Sequence, residues 1–523
     1  MSVFESNVTM FDTFRANRAL IYRCSHLPVV KISVLSFFFF VACCISEAEG
    51  ASKPNVVMVL IDDMGWGDFS CFGNSLAKTP NIDRIAYQGI RFEQFYVNAP
   101  ICSPSRCALM TGQYPQRWNI HSYLNHRADN LRRNCANWLE PSALTLARKL
   151  QQNGYATGHF GKWHLGGQRD VDDAPAITEY GFDKSLTNFE GMGPKLLPLI
   201  QKPGDSQTGR IWEDAQRLGG PVTWTQRSQI TGGFTKAAIE FAKSARARNQ
   251  PFYLNLWPDD VHSPFWPPIE NWPEVDGKPS KRDLYYAVLE SMDRQLGELF
   301  DFLLSDSEIV NNTILIICSD NGPEEKAGSA GPFRGGKTSL YEGGIRSPLI
   351  VWSPGLAAPN RRGIFETESV FAAIDLAPSL LEICGIESTE VAFDGQSVAQ
   401  VLLGKQSRSR DAPLFWRRPP DRKTYSQDSL ELFPDLAIRQ GRWKLLCNYD
   451  GSEPQLYDLQ ADRGETKNLA DTAHITQELE HEIARLRGAL IGWHRAMPAD
   501  SGPKLGETAI RRVKKAKESS TKK

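Results

Sequence analysis

Oxygen-bearing side chains recur at the ends of apolar runs. Residues 56–61 lead directly into Asp62-Asp63, and residues 314–318 lead into Ser319-Asp320-Asn321. Asp62, Asp63, Asp320 and Asn321 form an all-oxygen set without paired histidines or thiolates, a donor chemistry that suits a hard divalent cation, Ca²⁺ or Mg²⁺, rather than zinc. A helix cap or a turn would also account for one Asp-Asp pair after a strand. Two such pairs after two separate runs make a shared ligand set the better account. A third run, residues 252–256, is followed by Pro258-Asp259-Asp260-Val261-His262.

Nucleophile and charge candidates lie between these runs. In Cys102-Ser103-Pro104-Ser105-Arg106, Ser103 is placed to cap a helix, with Pro104 at its first position and Gly112 at its end. Cys102 would then stand just before a helix N-terminus, where free N–H groups and the dipole favour an anion. Arg106, one turn on, adds a fork-shaped cation for an oxyanion. For this motif alone, a plain buried cysteine beside a capped helix explains the pattern as well. In Gly161-Lys162-Trp163-His164, an extended backbone would point Lys162 and His164 to the same side, giving a fixed charge and a titratable base. Lys337 lies in the flexible, glycine-rich run Phe333-Arg334-Gly335-Gly336-Lys337-Thr338.

The elements that must position these groups can be read from the apolar pattern. Residues 56–61, 252–256, 314–318 and 349–352 have the continuous apolar character of buried parallel strands. Residues 144–152, 234–246 and 284–304 repeat apolar positions three or four apart, as helices do. The alternation predicts an α/β fold, a large sheet covered on both faces. Ligands of such sheets bind beyond the carboxyl ends of the strands, so three strands deliver polar groups to one edge. Short turn-separated strands at 437–439, 443–446 and 455–458, then a helix at 475–491, predict a smaller α+β subdomain with an antiparallel sheet. The expected organisation is a catalytic domain over residues 51–410, the C-terminal subdomain over 411–500 and a basic, frayed tail over 501–523.

Residues 1–50 read as a secretory leader. Basic residues precede an apolar run at 32–45 that is too short for a comfortable membrane span, and Ser46-Glu47-Ala48 and Ala48-Glu49-Gly50 offer small residues for cleavage. Phe40-Val41-Ala42-Cys43 is a poor lipoprotein box, so export without a transmembrane or lipid anchor is expected, to the periplasm or medium, or to the lysosome of a eukaryote. Cys24, Cys43 and Cys44 fall in this leader, and the remaining seven of ten cysteines leave one thiol unpaired by count, with Cys102 the one to examine. A formal net charge of −1 supplies no global basic field for nucleic acid.

Together these motifs resemble the type I sulfatase family. Residues 54–112, 161–166, 319–322 and 335–346 carry its signatures in order, with the cysteine-proline-arginine element at Cys102, Pro104 and Arg106 the most specific. Residues 437–469 look like the family's ending, so the resemblance covers the chain beyond the leader. Residues 325–346 and 63–68 look most like arylsulfatases and N-acetylgalactosamine-6-sulfatases. The resemblance implies an alkaline-phosphatase-like fold, with a large mixed, mostly parallel sheet flanked by helices and a smaller C-terminal α+β subdomain, and a sulfuric ester hydrolase. It further implies that Cys102 is converted to formylglycine (3-oxoalanine) by a formylglycine-generating enzyme that reads Pro104 and Arg106.

By the same resemblance, Asp62, Asp63, Asp320, Asn321 and the converted Cys102 hold Ca²⁺ or Mg²⁺, and Arg106 holds the aldehyde hydrate. Lys162, His262 and Lys337 clamp the sulfate, Asp320 or a neighbour protonates the leaving alcohol, and His164 removes the last proton. The family's further polar residue after the Lys-x-His segment has no clear counterpart between Asp183 and Glu190, and Asp259 and Asp260 receive no role. The implied substrate is a sulfated small molecule or glycan. Trp257, Trp266 and Trp272 around His262 are read as loop and core packing ahead of sugar stacking. Two rival readings are a phosphonate or phosphodiester hydrolase of the same superfamily and a non-catalytic glycan-binding homologue. A zinc phosphatase is disfavoured by the lack of a second, His-rich metal set.

Overall fold

The computed structural model of the protein describes residues 53–500, apart from 388, 391, 421–432 and 472–474. The expected leader over 1–50 and the basic tail over 501–523 lie outside the described residues.

Six strands build the middle of a twelve-stranded sheet: β1 (Asn55–Ile61), β2 (Ile90–Tyr96), β3 (Ala156–Gly161), β4 (Phe252–Trp257), β5 (Thr313–Ser319) and β6 (Arg346–Trp352), in the spatial order β2-β6-β5-β1-β4-β3. Every residue of β1 and β5 is buried, as a strand covered on both faces requires. Val56, Met58 and Leu60 of β1 face one apolar cluster, and Val57, Val59 and Ile61 face the other. The first face is covered by helices α1 (Cys102–Thr111) and α2 (Leu146–Gln152), the second by α3 (Ile230–Ala247) and α4 (Lys281–Leu304). Helix α4 starts ahead of the expected 284–304 because Ser280 accepts the Asp283 N–H while the Asp283 carboxylate accepts the Ser280 N–H.

β1 pairs in parallel with both β4 and β5, and β3 pairs in parallel with β4. β6 departs from expectation: it runs antiparallel to β5 and to β2. Its apolar run (349–352) carries no information on direction. A parallel partner would need a covering crossover, whereas the chain leaves β5, stays at the sheet edge through residues 320–341, makes one helical turn (Glu342–Ile345) and enters β6 directly. Lys337 sits at that edge for this reason.

The expected cap of α1 is also corrected. The helix begins at Cys102 itself, after an extended Ile101, and Ser103 does not cap it: its hydroxyl accepts the Leu124 N–H at 3.0 Å. All ten residues of α1 are buried, so a polar side chain there bonds to the packed neighbour rather than to its own first turn. Gly112 ends the helix in the left-handed region, as its type suggested.

A four-stranded antiparallel sheet follows, β7 (Leu414–Arg417), β8 (Leu436–Gln440), β9 (Trp443–Cys447) and β10 (Gln455–Asp458) in sequential order, with helix α5 (Gln477–Ala496) against it. β7 was not among the expected strands; it is anchored by Trp416, whose indole N–H donates to Val97 O at 2.7 Å just past β2. Cys71, Cys102, Cys107, Cys318, Cys384 and Cys447 are buried free thiols, so cysteine parity does not single out Cys102. Among the described residues, no helix is long and apolar enough to cross a membrane.

Candidate active site

The register of the parallel strands brings their carboxyl ends level. Ile61 pairs with Ser319, and Gly161 with Trp257, so Asp62, Asp320, Pro258 and Lys162 leave the sheet side by side. Backbone bonds hold the exits together: Asp62 N donates to Pro258 O at 3.1 Å and Lys162 N to Trp257 O at 2.9 Å. At Gly161 (φ 116°) a Cβ would meet Trp257 O at 2.2 Å, so only glycine lets β3 end this close to β4. Asp63 is left-handed (φ 58°), which turns its carboxylate back over the sheet edge, where it accepts from Asn321 Nδ2 at 2.8 Å.

Cys102 opens α1 beside this edge. Its Sγ lies 3.8 Å from Lys162 Nζ and 3.9 Å from Asp63 Oδ1. The guanidinium of Arg106 is fully buried, with Nε donating to Asp320 Oδ2 at 2.9 Å, Nη1 donating to Lys162 O at 2.6 Å, and Nη2 lying 3.2 Å from Asp62 Oδ1. Lys162 Nζ donates to Asp62 Oδ2 at 2.7 Å, and Lys337 Nζ to Asp63 Oδ2. His262 Nε2 stands 3.4 Å from both Asp63 Oδ2 and Lys337 Nζ. The side chains of His262 and Lys337 are 28% and 18% exposed while those of Asp62, Asp63 and Asp320 are buried, so the site opens to solvent past the first two.

The electrostatics follow from this crowding. Burial pushes the Asp62 carboxyl up, but Lys162, His262, Arg106 and Lys337 outweigh it and hold the group well below the usual range. Asp63 is lowered in the same way, against burial, by Lys337 and His262. Asp320 goes the other way, pushed up to about 7 by burial and the Asp62 charge against Arg106. Burial and the Asp62 charge also push the Cys102 thiol well up, against Lys162 and Lys337. The helix N-terminus therefore does not make Cys102 a thiolate, contrary to the anion expected from its position alone.

Lys162 and His164 do not lie on an extended strand. β3 stops at Gly161 and His164 is left-handed (φ 56°), so the two side chains diverge. Lys162 turns to Asp62 and Cys102, whereas the His164 ring has Nε2 at 3.0 Å from Leu124 O and Nδ1 at 3.3 Å from Glu190 Oε2. They meet again at Glu190, whose Oε2 is 3.2 Å from Lys162 Nζ. Burial pushes His164 down to about 3 despite Glu190, leaving a neutral ring. Glu190 itself is lowered to about 2, burial being outweighed by His164 and Lys162.

Sequence reasoning missed Glu190 and the groups behind it. Asn188 Oδ1 accepts the Glu190 N–H, Asn188 Nδ2 donates to Asp259 Oδ2 at 2.9 Å, and Arg227 Nη1 donates to Asp259 Oδ1 at 2.8 Å. Asp259 is thus a buried support, and Asp260 accepts from Thr231. The available signal was an isolated Asn-Phe-Glu run opening a glycine-rich loop, which carries no fixed spacing to Lys162.

A family model described as Sulfatase matches residues 54–386, and a second, N-sulphoglucosamine sulphohydrolase, C-terminal, matches 333–489. Human N-acetylgalactosamine-6-sulfatase is 31% identical over 385 residues, covering 71% of this chain and 70% of its own. An N-acetylgalactosamine-6-O-sulfatase of Bacteroides thetaiotaomicron is 29% identical over 500 residues (81% and 91% of the two chains). The chain belongs to the sulfatase family. A crystal structure of Ps i-CgsB in complex with k-i-k-neocarrahexaose superposes with a TM-score of 0.68 at 26% identity, covering 88% of the sulfatase and 97% of that chain. The fold is of the alkaline-phosphatase type, and the activity that comes with the family is hydrolysis of sulfuric esters.

The donor set of the sulfatase fits a hard cation. One ligand atom each from Asp62, Asp63, Cys102 and Asp320 lie within 4.8 Å of one another. Asn321 spends both of its N–H groups on Asp63 and Gly322 O, which leaves Oδ1 a buried acceptor without a donor among the described residues, and Asp62 Oδ1 has only the Arg106 guanidinium 3.2 Å away. A buried amide oxygen with no donor, beside carboxylates, is what a cation site supplies.

Proposed function

We propose that this sulfatase hydrolyses sulfate esters of carbohydrates with a formylglycine formed from Cys102 and a Ca²⁺ or Mg²⁺ ion held by Asp62, Asp63, Asp320 and Asn321. The observation that carries the reading is the placement of Cys102 at the first residue of α1, against Lys162 and the acidic cluster, with its thiol held protonated. A buried neutral thiol is a poor nucleophile. A hydrated aldehyde at the same position supplies one hydroxyl to attack sulfur and a second whose deprotonation expels sulfate and restores the aldehyde. A cation held by these residues would supply positive charge where negative charge develops during the displacement.

The chain's own groups do the rest. Lys337 and His262, at the mouth, and Lys162, beneath, present N–H donors to the remaining sulfate oxygens, where charge grows as the ester bond breaks. Arg106 keeps Asp320 and Asp62 in register and so fixes the acids relative to residue 102. His164, neutral by burial, is the base of the set, linked to the Cys102 end through Glu190 and Lys162. The named activities of the N-acetylgalactosamine-6-sulfatase relatives, and the k-i-k-neocarrahexaose in the complex of Ps i-CgsB, support a sulfated sugar as substrate. The leader over residues 1–50 supports export. A formylglycine-generating enzyme is the implied partner.

The peptide spanning residues 92–106 of native protein, or of protein co-expressed with such an enzyme, tests the reading. A mass below that of the thiol form, with hydrazide reactivity at residue 102, is expected. An unmodified thiol in protein that still turns over a sulfate ester would overturn it.

A further inference from the structure

The run Asp63–Asp68 ends in an acid that the chemistry above leaves without a part. Asp68 is fully buried and forms no ion pair among the described residues. Three neutral donors from three pieces of chain converge on it instead. Its Oδ2 accepts the Gly65 N–H at 2.6 Å and the Tyr285 hydroxyl of α4 at 2.6 Å, and its Oδ1 accepts the Ser329 N–H at 2.7 Å. Burial pushes the carboxyl up to about 7 in spite of these bonds, and the exposed Arg282 pulls on it less than they do. A buried acid without a counter-ion costs stability, so a joint needed only for strength would be better made of apolar contacts.

What the donors share is the site. Gly65 lies in the turn that follows Asp62-Asp63, where Met64 N donates to Ser319 Oγ at the end of β5, at 3.1 Å. Ser329 lies in the segment 320–341 that carries Lys337. These two segments are pressed together: Gly67 N donates to Ser329 O at 2.9 Å, and a Cβ on Gly65 would meet Ser329 O at 2.2 Å and Pro323 Cγ at 2.8 Å. Pro323 O in turn accepts the Lys337 N–H at 2.9 Å. A continuous series of contacts therefore runs from the Asp63 turn through Gly65 and Pro323 to Lys337, and Asp68 fastens it to α4 through Tyr285. Only a carboxylate accepts on both oxygens; the near-isosteric asparagine would turn an N–H₂ group toward a donor.

We propose that Asp68 is a positioning residue whose carboxylate sets the acids of the cation site at their working distance from the Lys337 ammonium that faces sulfate. It touches neither ion nor substrate and acts through the two segments it joins. The proposal rests on the cation and sulfate-clamp reading above and deepens it.

Binding, rather than turnover alone, tests it. Calorimetry gives the affinity of chelator-stripped protein for Ca²⁺ and of Ca²⁺-loaded protein for inorganic sulfate, in native protein, Asp68→Asn and Tyr285→Phe, well below each unfolding midpoint. Asp68→Asn is expected to weaken both about tenfold or more, and Tyr285→Phe, which removes one donor of three, several-fold. The kcat/KM for 4-nitrophenyl sulfate should fall in the same order, with KM rising. Native affinities in Asp68→Asn, with only the unfolding midpoint lowered, overturn the proposal and leave a structural joint. If Asp68→Asn does not fold, Tyr285→Phe decides alone, and native affinities for both ions in that variant overturn it. Native protein that binds sulfate but no Ca²⁺ would count against the cation reading, while the sulfate comparison still decides the part of Asp68.

Discussion

Two clusters of buried charge stand in this molecule, and they are wired differently. At the junction of the two sheets, Glu342 accepts from Lys444 at 2.9 Å, from Tyr96 Oη at 2.6 Å and from Arg346 Nε at 2.7 Å. Glu465 meets Lys444 at 2.8 Å and the Glu342 N–H at 2.6 Å. All four carboxylate oxygens face a donor or a cation. At the carboxyl edge of the large sheet the acids are just as buried, yet Asn321 Oδ1 has no donor among the described residues, and the side chains of Lys337 and His262 reach in from the solvent side. A closed set of buried charges is a structural joint. An open set awaits a ligand.

Substitutions should separate the two clusters. The largest effect is expected from Cys102→Ala, which should lower sulfate ester turnover on the order of 10⁴-fold or more while leaving the thermal midpoint near native. Retained turnover would remove Cys102 from the chemistry. Next is Lys444→Met at the junction, which strands two buried carboxylates and should cost about 3–5 kcal/mol in denaturant unfolding. Near-native stability there would mean that the joint carries no weight.

A cation should act on one cluster only. Saturating Ca²⁺, at roughly 100 times its dissociation constant, should raise the unfolding free energy by about 3 kcal/mol, an effect abolished by chelator and by Asp62→Asn. An equal rise in Asp62→Asn would place the ion elsewhere. The smallest effect is a drift with pH at the junction. Glu465 is pushed up to about 7 by burial and the Glu342 charge, against Lys444. Its folded value lies above its unfolded value, so its protonation favours the fold below about pH 4.5, and that contribution fades as pH rises toward 7. Glu465→Gln removes the titration, and its stability relative to native protein should improve between pH 5 and pH 8. A constant gap between the two proteins over that range would contradict the assignment.

The contrast also explains what was legible in the sequence. Asp62-Asp63, Asp320-Asn321 and Cys102 through Arg106 follow directly from strand ends or open a helix, so local spacing fixes their placement. The α/β class followed from runs whose residues all proved buried. Direction did not follow, because an apolar run reads the same parallel or antiparallel, and β6 was misjudged for that reason. Ser103 as a cap failed because α1 is wholly buried. Glu190, Asn188 and Arg227 reach the site across a loop and from a separate segment, with no motif to tie them to Lys162 or Asp259.

The strap that bears Lys337 has a consequence for synthesis. Arg334 donates to Tyr457 Oη at 3.0 Å and to Glu465 O at 2.9 Å, and Gly343 N returns to Arg334 O at 2.7 Å, so the loop is pinned by residues more than a hundred positions downstream. A ribosome delivers the acids and Cys102 early and the pins last. A truncated chain that ends before residue 457 keeps Asp62, Asp63, Cys102, Asp320 and Asn321 but loses both downstream partners of Arg334, and with them the fastening of the strap that carries Lys337.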